Sequence, residues 1–310
     1  MKRVAKSADI SHLSTEKSNS ASIDLDRKSS LEIARIINRE DAKVASAVAH
    51  SLPQIAQAID CIADVLSKGG RLIYIGTGTS GRIAALDAAE CPPTFNTKPK
   101  MVQFIIAGGS KALAEASEVS EDSRRLGRQA MAKKNPRRND VVVGVAASGR
   151  TPFTIAALEY ARRNGSKTVA VTCNHDSPLE KAAEIAIVAD VGAEVLAGST
   201  RMKAGTAQKM ILNMLTTGAM TRLGYVYGNL MVNLHLKNKK LSERGIGILE
   251  QAAQLSRVKA RKALKEAHNS VPVALVMAKG SVGRAKSAVV LKKSAGNVRK
   301  AITMARASKD

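Results

Sequence analysis

The chain has 310 residues and a formal net charge of +23, from 49 Lys and Arg against 26 Asp and Glu. Apolar residues make up 45% and charged residues 24%, enough for a packed core, and no apolar run reaches the ~18 residues of a membrane span. The N-terminus has no apolar signal core, and the scattered Cys61, Cys91 and Cys173 make neither a disulfide framework nor a metal pair, so a cytoplasmic chain with reduced thiols is expected.

In chain order, residues 1–22 are polar and read as a flexible arm. A helix is expected over 23–39, with Ser30 available as a cap and Leu31, Ala34 and Ile37 forming an apolar stripe. Helical spacing continues through 41–67 (Val44, Val48, Ile55, Ile59, Ile62, Leu66), and Gly69-Gly70 stops it. Strand and helix then alternate. Strands are predicted at 71–76, 101–107, 141–147, 167–173 and 185–190, and helices at 80–90, 111–132, 151–164, 177–183 and 200–223. The strands are short, continuous apolar runs such as VVVGVAA, the pattern of a parallel sheet covered on both faces. The expected fold is an open, doubly wound α/β domain with a five-stranded parallel sheet flanked by helices over 23–240. A small, basic, all-helical domain follows at 241–310.

The central stretch is RLIYIGTGTSGRIAALDAAECPPTF, residues 71–95. Strand, glycine loop and helix in that order aim backbone N–H groups at one spot, and the hydroxyls of Thr79 and Ser80 add donors beside Gly81. The loop spells G-x-G-x-x-G at Gly76, Gly78 and Gly81, but the next strand ends in Ala107-Gly108-Gly109 without the acidic residue a dinucleotide ribose needs. Arg82 follows Gly81 where a P-loop has Lys. A small phosphate ester suits the loop better than a nucleotide.

A second loop of this type, Ala147-Ser148-Gly149-Arg150-Thr151-Pro152, follows the third strand. Either Ser148 and Thr151 cap a helix, or the two loops bracket one anion; the repetition of the device favours a sugar phosphate. A third loop, 194–206, brings Glu194, Ser199, Thr200, Arg201 and Lys203 in front of a long helix, the cations suited to a carboxylate or phosphate. Two carboxylates are candidates for acid and base work: Glu90 before Cys91-Pro92-Pro93, at a chain break that turns it to the cleft, and Glu121 in the helix after the second strand, with Glu115 and Glu118 nearby.

Over half of the net charge lies in residues 251–310, where 14 Lys and Arg face only Glu266 and Asp310. Stacking aromatics are nearly absent and no nucleic-acid-binding motif appears, so no specific nucleic-acid partner and no membrane partner is expected; the basic surface reads as solvated and attractive to anionic substrates.

Taken together, STEKSN, IDLDRKSSLEIARIINRED, IYIGTGTSGRIAALDAAECPPTF, VVVGVAASGRTPF, EVLAGSTRMKAGTAQKMILNMLTTGAM and YGNLMVNL resemble the N-acetylmuramic acid 6-phosphate etherases of the sugar isomerase (SIS) superfamily. The resemblance implies a SIS-type catalytic domain, no metal or organic cofactor, a homodimer, and cleavage of the D-lactyl ether to N-acetylglucosamine 6-phosphate and D-lactate by elimination then hydration. It implies Glu90 and Glu121 as the catalytic pair. Thr79, Ser80, Gly81, Ser148, Gly149 and Thr151 then hold the phosphate, and Glu194, Ser199 and Lys203 lie at the sugar or lactyl end. The chain departs from the family pattern at Val119-Ser120 before Glu121, at Asn233 where Asp is usual, and in its strongly basic 240–310 region. The competing reading is a non-catalytic sugar-phosphate-binding regulator of the same superfamily.

Overall fold

The computed structural model describes residues 10–115, 120–234, 236 and 239–307. Two compact units are distinguished: the first holds the described residues up to Ala88 and Met101–Leu215, the second Ala89–Lys100 and the described residues from Thr216 onward. The unit boundary thus falls inside a helix at Leu215–Thr216, not at residue 240 where the composition shift suggested, and the second unit also takes the twelve residues around Cys91-Pro92-Pro93.

In the first unit the strands are β1 (Arg71–Gly76), β2 (Val102–Ile106), β3 (Asp140–Val145), β4 (Lys167–Thr172) and β5 (Ile185–Val188). All are parallel, in the order β2-β1-β3-β4-β5. Their apolar runs are buried on both faces because helices cover both. On one face α5 (Arg124–Lys134), α6 (Pro152–Arg163) and α7 (Pro178–Ala182) enclose Ile73, Ile75, Val142, Met131, Phe153 and Leu158. On the other, α3 (Leu52–Ser67) packs against β1, β3 and β5. Tyr74 donates a 2.9 Å hydrogen bond to Asp87 of α4 (Gly78–Phe95), and Asn213 of α8 (Lys203–Leu223) donates to the same carboxylate at 2.8 Å. The bidentate Arg71–Asp140 pair joins the starts of β1 and β3.

Several local expectations change. The first helix is α1 (Ser30–Asp41), and Ser29, not Ser30, caps it in a reciprocal box with Glu32. A short helix, α2 (Val44–Ala49), precedes α3, which has Pro53 in its first turn. The predicted helix 111–132 is a 3-10 turn over Gly109–Leu113 followed by α5, whose N-cap is Ser123; Glu121 therefore lies in the turn before the helix. Glu118 and residues 1–9 lie outside the described residues. Helix α4 does not break after Glu90 but runs through Pro92 and Pro93 to Phe95, and Asn96 at φ 56° ends it.

Residues 10–22, expected as part of a flexible arm, are pinned to the carboxyl edge of the sheet. Ser14 N–H donates to Asn174, Asn19 Nδ2 donates to the Ala193 carbonyl, and Ser22 Oγ donates to the Val195 carbonyl. These partners are 160 or more residues away, which local polarity does not reveal.

The second unit is helical: α9 (Lys239–Ala253), α10 (Arg257–Glu266), α11 (Val271–Gly280), α12 (Arg284–Lys293) and α13 (Val298–Ala307) bury Ile246, Leu249, Leu264, Leu275, Val298 and Ile302. Asn233, the departure from the family pattern, donates to the Tyr225 carbonyl at 3.2 Å. No helix among the described residues is long and apolar enough to cross a membrane.

Candidate active site

The strand order reverses between β1 and β3: the chain leaves β1 for β2 on one side and returns to pair β3 on the other. A crevice opens at the carboxyl ends of the strands at such a point. Gly76 and Val145 are register partners there, so the two glycine loops leave neighbouring strands at the same level. Helix α4 starts from the first loop and α6 from the second, and both N-termini favour an anion.

Three glycines of the first loop have separate reasons to be glycine. A Cβ on Gly76 would stand 2.9 Å from the Gly81 nitrogen, and one on Gly81 would stand 2.6 Å from Ile106 Cγ1. The first turn of α4 therefore lies against the backbone of β1 and against the Ile106 side chain of β2. Gly78 adopts φ 48°, and a Cβ there would lie 3.3 Å from Glu121 Oε1. The fingerprint thus serves packing and a turn, with Glu121 lying over the loop. In the second loop Gly149 has φ 65°, and a Cβ would meet Ser177 Oγ at 2.3 Å.

Glu121 is tied to both loops. Its side chain lies by Gly78, and its backbone carbonyl accepts from the Phe153 N–H at the start of α6, 3.0 Å away. Ser80 is buried at the first turn of α4, with Thr79 half-buried beside it. Ser148 is half-buried and accepts from the Arg150 N–H at 3.2 Å; Thr151 is the N-cap of α6 but its side chain makes no capping hydrogen bond. The structure therefore brings Thr79, Ser80, Gly81, Ser148, Gly149, Thr151 and Glu121 to the carboxyl ends of the adjacent strands β1 and β3. The third loop reaches the first through Gly205 of α8, whose ideal Cβ position is 3.5 Å from Thr79 Cγ2; Ser199 is half-buried just before that helix. Glu90 is exposed on the part of α4 that belongs to the second unit.

Glu194 and Lys203 are placed differently. Both are buried and engaged with the chain itself. Glu194 accepts from the N–H groups of Lys203 and Ala204, each at 2.9 Å, and so caps α8. Burial raises its pKa against the lowering by those two bonds. Lys203, 2% exposed, donates to Glu40 Oε2 at 2.7 Å. Burial opposes ionisation of Glu40, but hydrogen bonds from Lys203, Lys43 and Asn19 outweigh it and bring its pKa down to about 2. Glu40 and Asn19 are supporting residues that sequence reasoning missed. They stand in two of the quoted motifs, INRED and STEKSN, but nothing local marks a charge as buried. Arg150 of the second loop lies 3.2 Å from His12 Nε2, so the pinned N-terminal segment also reaches this edge.

A profile for the glucokinase regulatory protein N-terminal SIS domain matches residues 54–162, from α3 through α6. Full-length relatives are closer. N-acetylmuramic acid 6-phosphate etherase of Clostridium beijerinckii is 47% identical over 96% of this chain and 98% of its own. The chain belongs to the N-acetylmuramic acid 6-phosphate etherase family. The etherase of Photorhabdus laumondii is 46% identical over 96% of this chain and 99% of its own, and that of Symbiobacterium thermophilum 53% over 86% and 89%. A solved phosphoheptose isomerase from Francisella tularensis, at 19% identity, TM-score 0.47, and coverage of 63% of this chain and 100% of its own, is too distant to bear on the activity.

Proposed function

We propose that this chain is an N-acetylmuramic acid 6-phosphate etherase that releases D-lactate and leaves N-acetylglucosamine 6-phosphate. The observation that carries the reading is the placing of Glu121 over Gly78, at a crevice formed by two anion loops on adjacent strands. A base there stands next to a bound phosphate ester. In the open-chain aldehyde the C2 proton is acidic: Glu121 takes it, the C3–O bond breaks, and Glu90 protonates the departing lactate oxygen. Water then adds at C3 of the unsaturated aldehyde, and the protons return. Thr79, Ser80, Gly81, Ser148, Gly149 and Thr151 hold the phosphate through hydroxyls and backbone N–H groups. Ser199 faces the sugar end, whereas Glu194 and Lys203 act by fixing α8 and its loop. The regulator reading supplies no use for a carboxylate beside the anion loop. The protein works as a cytoplasmic homodimer, which sedimentation equilibrium tests directly.

The reaction is tested by D-lactate release from N-acetylmuramic acid 6-phosphate with wild type, Glu90→Gln and Glu121→Gln, folding being checked by circular dichroism. Each substitution is expected to lower the rate by ~10²–10⁴. A folded wild type that binds the sugar phosphate and releases no lactate would make the chain a regulator.

A further inference from the structure

Along the β2 edge of the first unit runs a cavity of about 510 Å³, lined by none of the glycine-loop residues, though Ser120, Ile106 and Phe153 in its wall adjoin Glu121 and Gly81. Its walls are apolar: Phe104 and Ile106 of the edge strand, Leu126 and Ala130 of α5, and Phe153 of α6. One end of α5 contributes Lys133 and Lys134. Lys133 is exposed, and Lys134 is half-buried with its ammonium donating to the Gln103 amide oxygen at 3.0 Å. Neither lysine has a carboxylate within ion-pair distance among the described residues. Burial and the neighbouring Arg71 both depress Lys134, so an anion beside it would relieve an unbalanced charge. Of the remaining polar side chains in the lining, Ser110 and Gln129 are exposed and Ser120 is half-buried.

Cavities of ~300–1,000 Å³ with an apolar lining and few polar groups are typical of small-ligand sites. We propose that this groove binds a small amphipathic anion, an alkyl chain along β2 and α5 with its carboxylate at Lys133 and Lys134. The charge complementarity selects the occupant: an uncharged lipid would leave the lysines unanswered, and a sugar phosphate would leave the apolar walls unfilled. The proposal does not rest on the etherase reading, because the lining includes none of the residues assigned to the phosphate or to the ether.

Isothermal titration of the full-length protein with octanoate below its micellar range tests this. Saturable binding to one site per chain is expected, about tenfold weaker for 1-octanol, which lacks the charge. Lys133→Glu, an exposed position, should weaken octanoate about fivefold or more. Ala130→Trp, which fills the groove, should abolish binding while circular dichroism stays native. If that variant fails to fold, the charge reversal alone decides the matter. Saturating N-acetylglucosamine 6-phosphate should leave octanoate affinity unchanged. No saturable heat, equal affinity for octanol, an unaltered Lys133→Glu, or competition by the sugar phosphate would each overturn the assignment.

Discussion

Gly81 has no room for a side chain: a Cβ would stand 2.6 Å from Ile106 Cγ1 and 3.0 Å from the Gly76 carbonyl oxygen. Gly81→Ala is expected to lose ~1–3 kcal/mol of stability, read from urea denaturation, because the Ile106 side chain must shift to admit the methyl and the Gly76 carbonyl oxygen closes the other side. Gly78 is constrained otherwise, by φ 48° and by the Glu121 carboxylate 3.3 Å from its ideal Cβ position. Gly78→Ala should cost ~1–2 kcal/mol in backbone strain and displace the base, lowering lactate release about tenfold or more at saturating substrate. A glycine whose only task was conformational freedom would show the stability loss alone. Both glycines were legible as a phosphate-type loop from the sequence. Their division of labour was not, because it depends on Ile106 and Glu121, from elements that meet the loop only in the folded chain.

At the level of elements, the five strands lie within two residues of their predicted limits, since each is an uninterrupted apolar run stopped by small or polar residues. The segments that differed are those whose order comes from distant partners. Glu194 and Lys203 looked available for a ligand, and the partner that claims Lys203 is Glu40, 163 positions earlier. Lys203→Met would leave Glu40 buried with only Lys43 and Asn19 as partners, at an expected cost of ~3–5 kcal/mol. Pairing it with Glu40→Leu should recover part of that loss, which a double-mutant cycle in urea measures; simple additivity would refute a coupled pair. The same carboxylate makes stability pH-dependent. Because Glu40 is held down to about 2 when folded, its contribution is present above the ordinary carboxylate value near 4.5 and is lost as pH falls from there towards 2. Denaturation midpoints of wild type should therefore drop over that interval more steeply than those of the Glu40→Leu, Lys203→Met double variant.

For the molecule as a whole, charge is the dominant variable. Helix α10 answers its cations with carboxylates, Arg257 meeting Glu243 and Glu250 and Lys262 meeting Glu266, whereas the sequence from residue 267 through 309 contains no Asp or Glu. A chain at +23 repels itself, and salt relieves that repulsion. The melting temperature is expected to rise between low salt and 0.5 M NaCl, while KM for the anionic substrate rises as attraction to the basic surface is screened. A melting temperature that falls with salt would mean that ion pairs, not repulsion, dominate. This basic character was legible from composition, but the limits of the helical unit were not, since they include a stretch from the middle of the chain.

That stretch, Ala89–Lys100, is synthesised more than a hundred residues before Thr216, where the rest of its unit begins. At ~5–20 residues per second, a ribosome leaves it waiting on the order of ten seconds. Cys91 and Phe95, almost wholly buried in the finished protein, belong to that waiting segment. The nascent chain therefore has a defined interval in which a chaperone can hold it, and slowing translation downstream of codon 100 should lengthen that interval and lower the soluble yield.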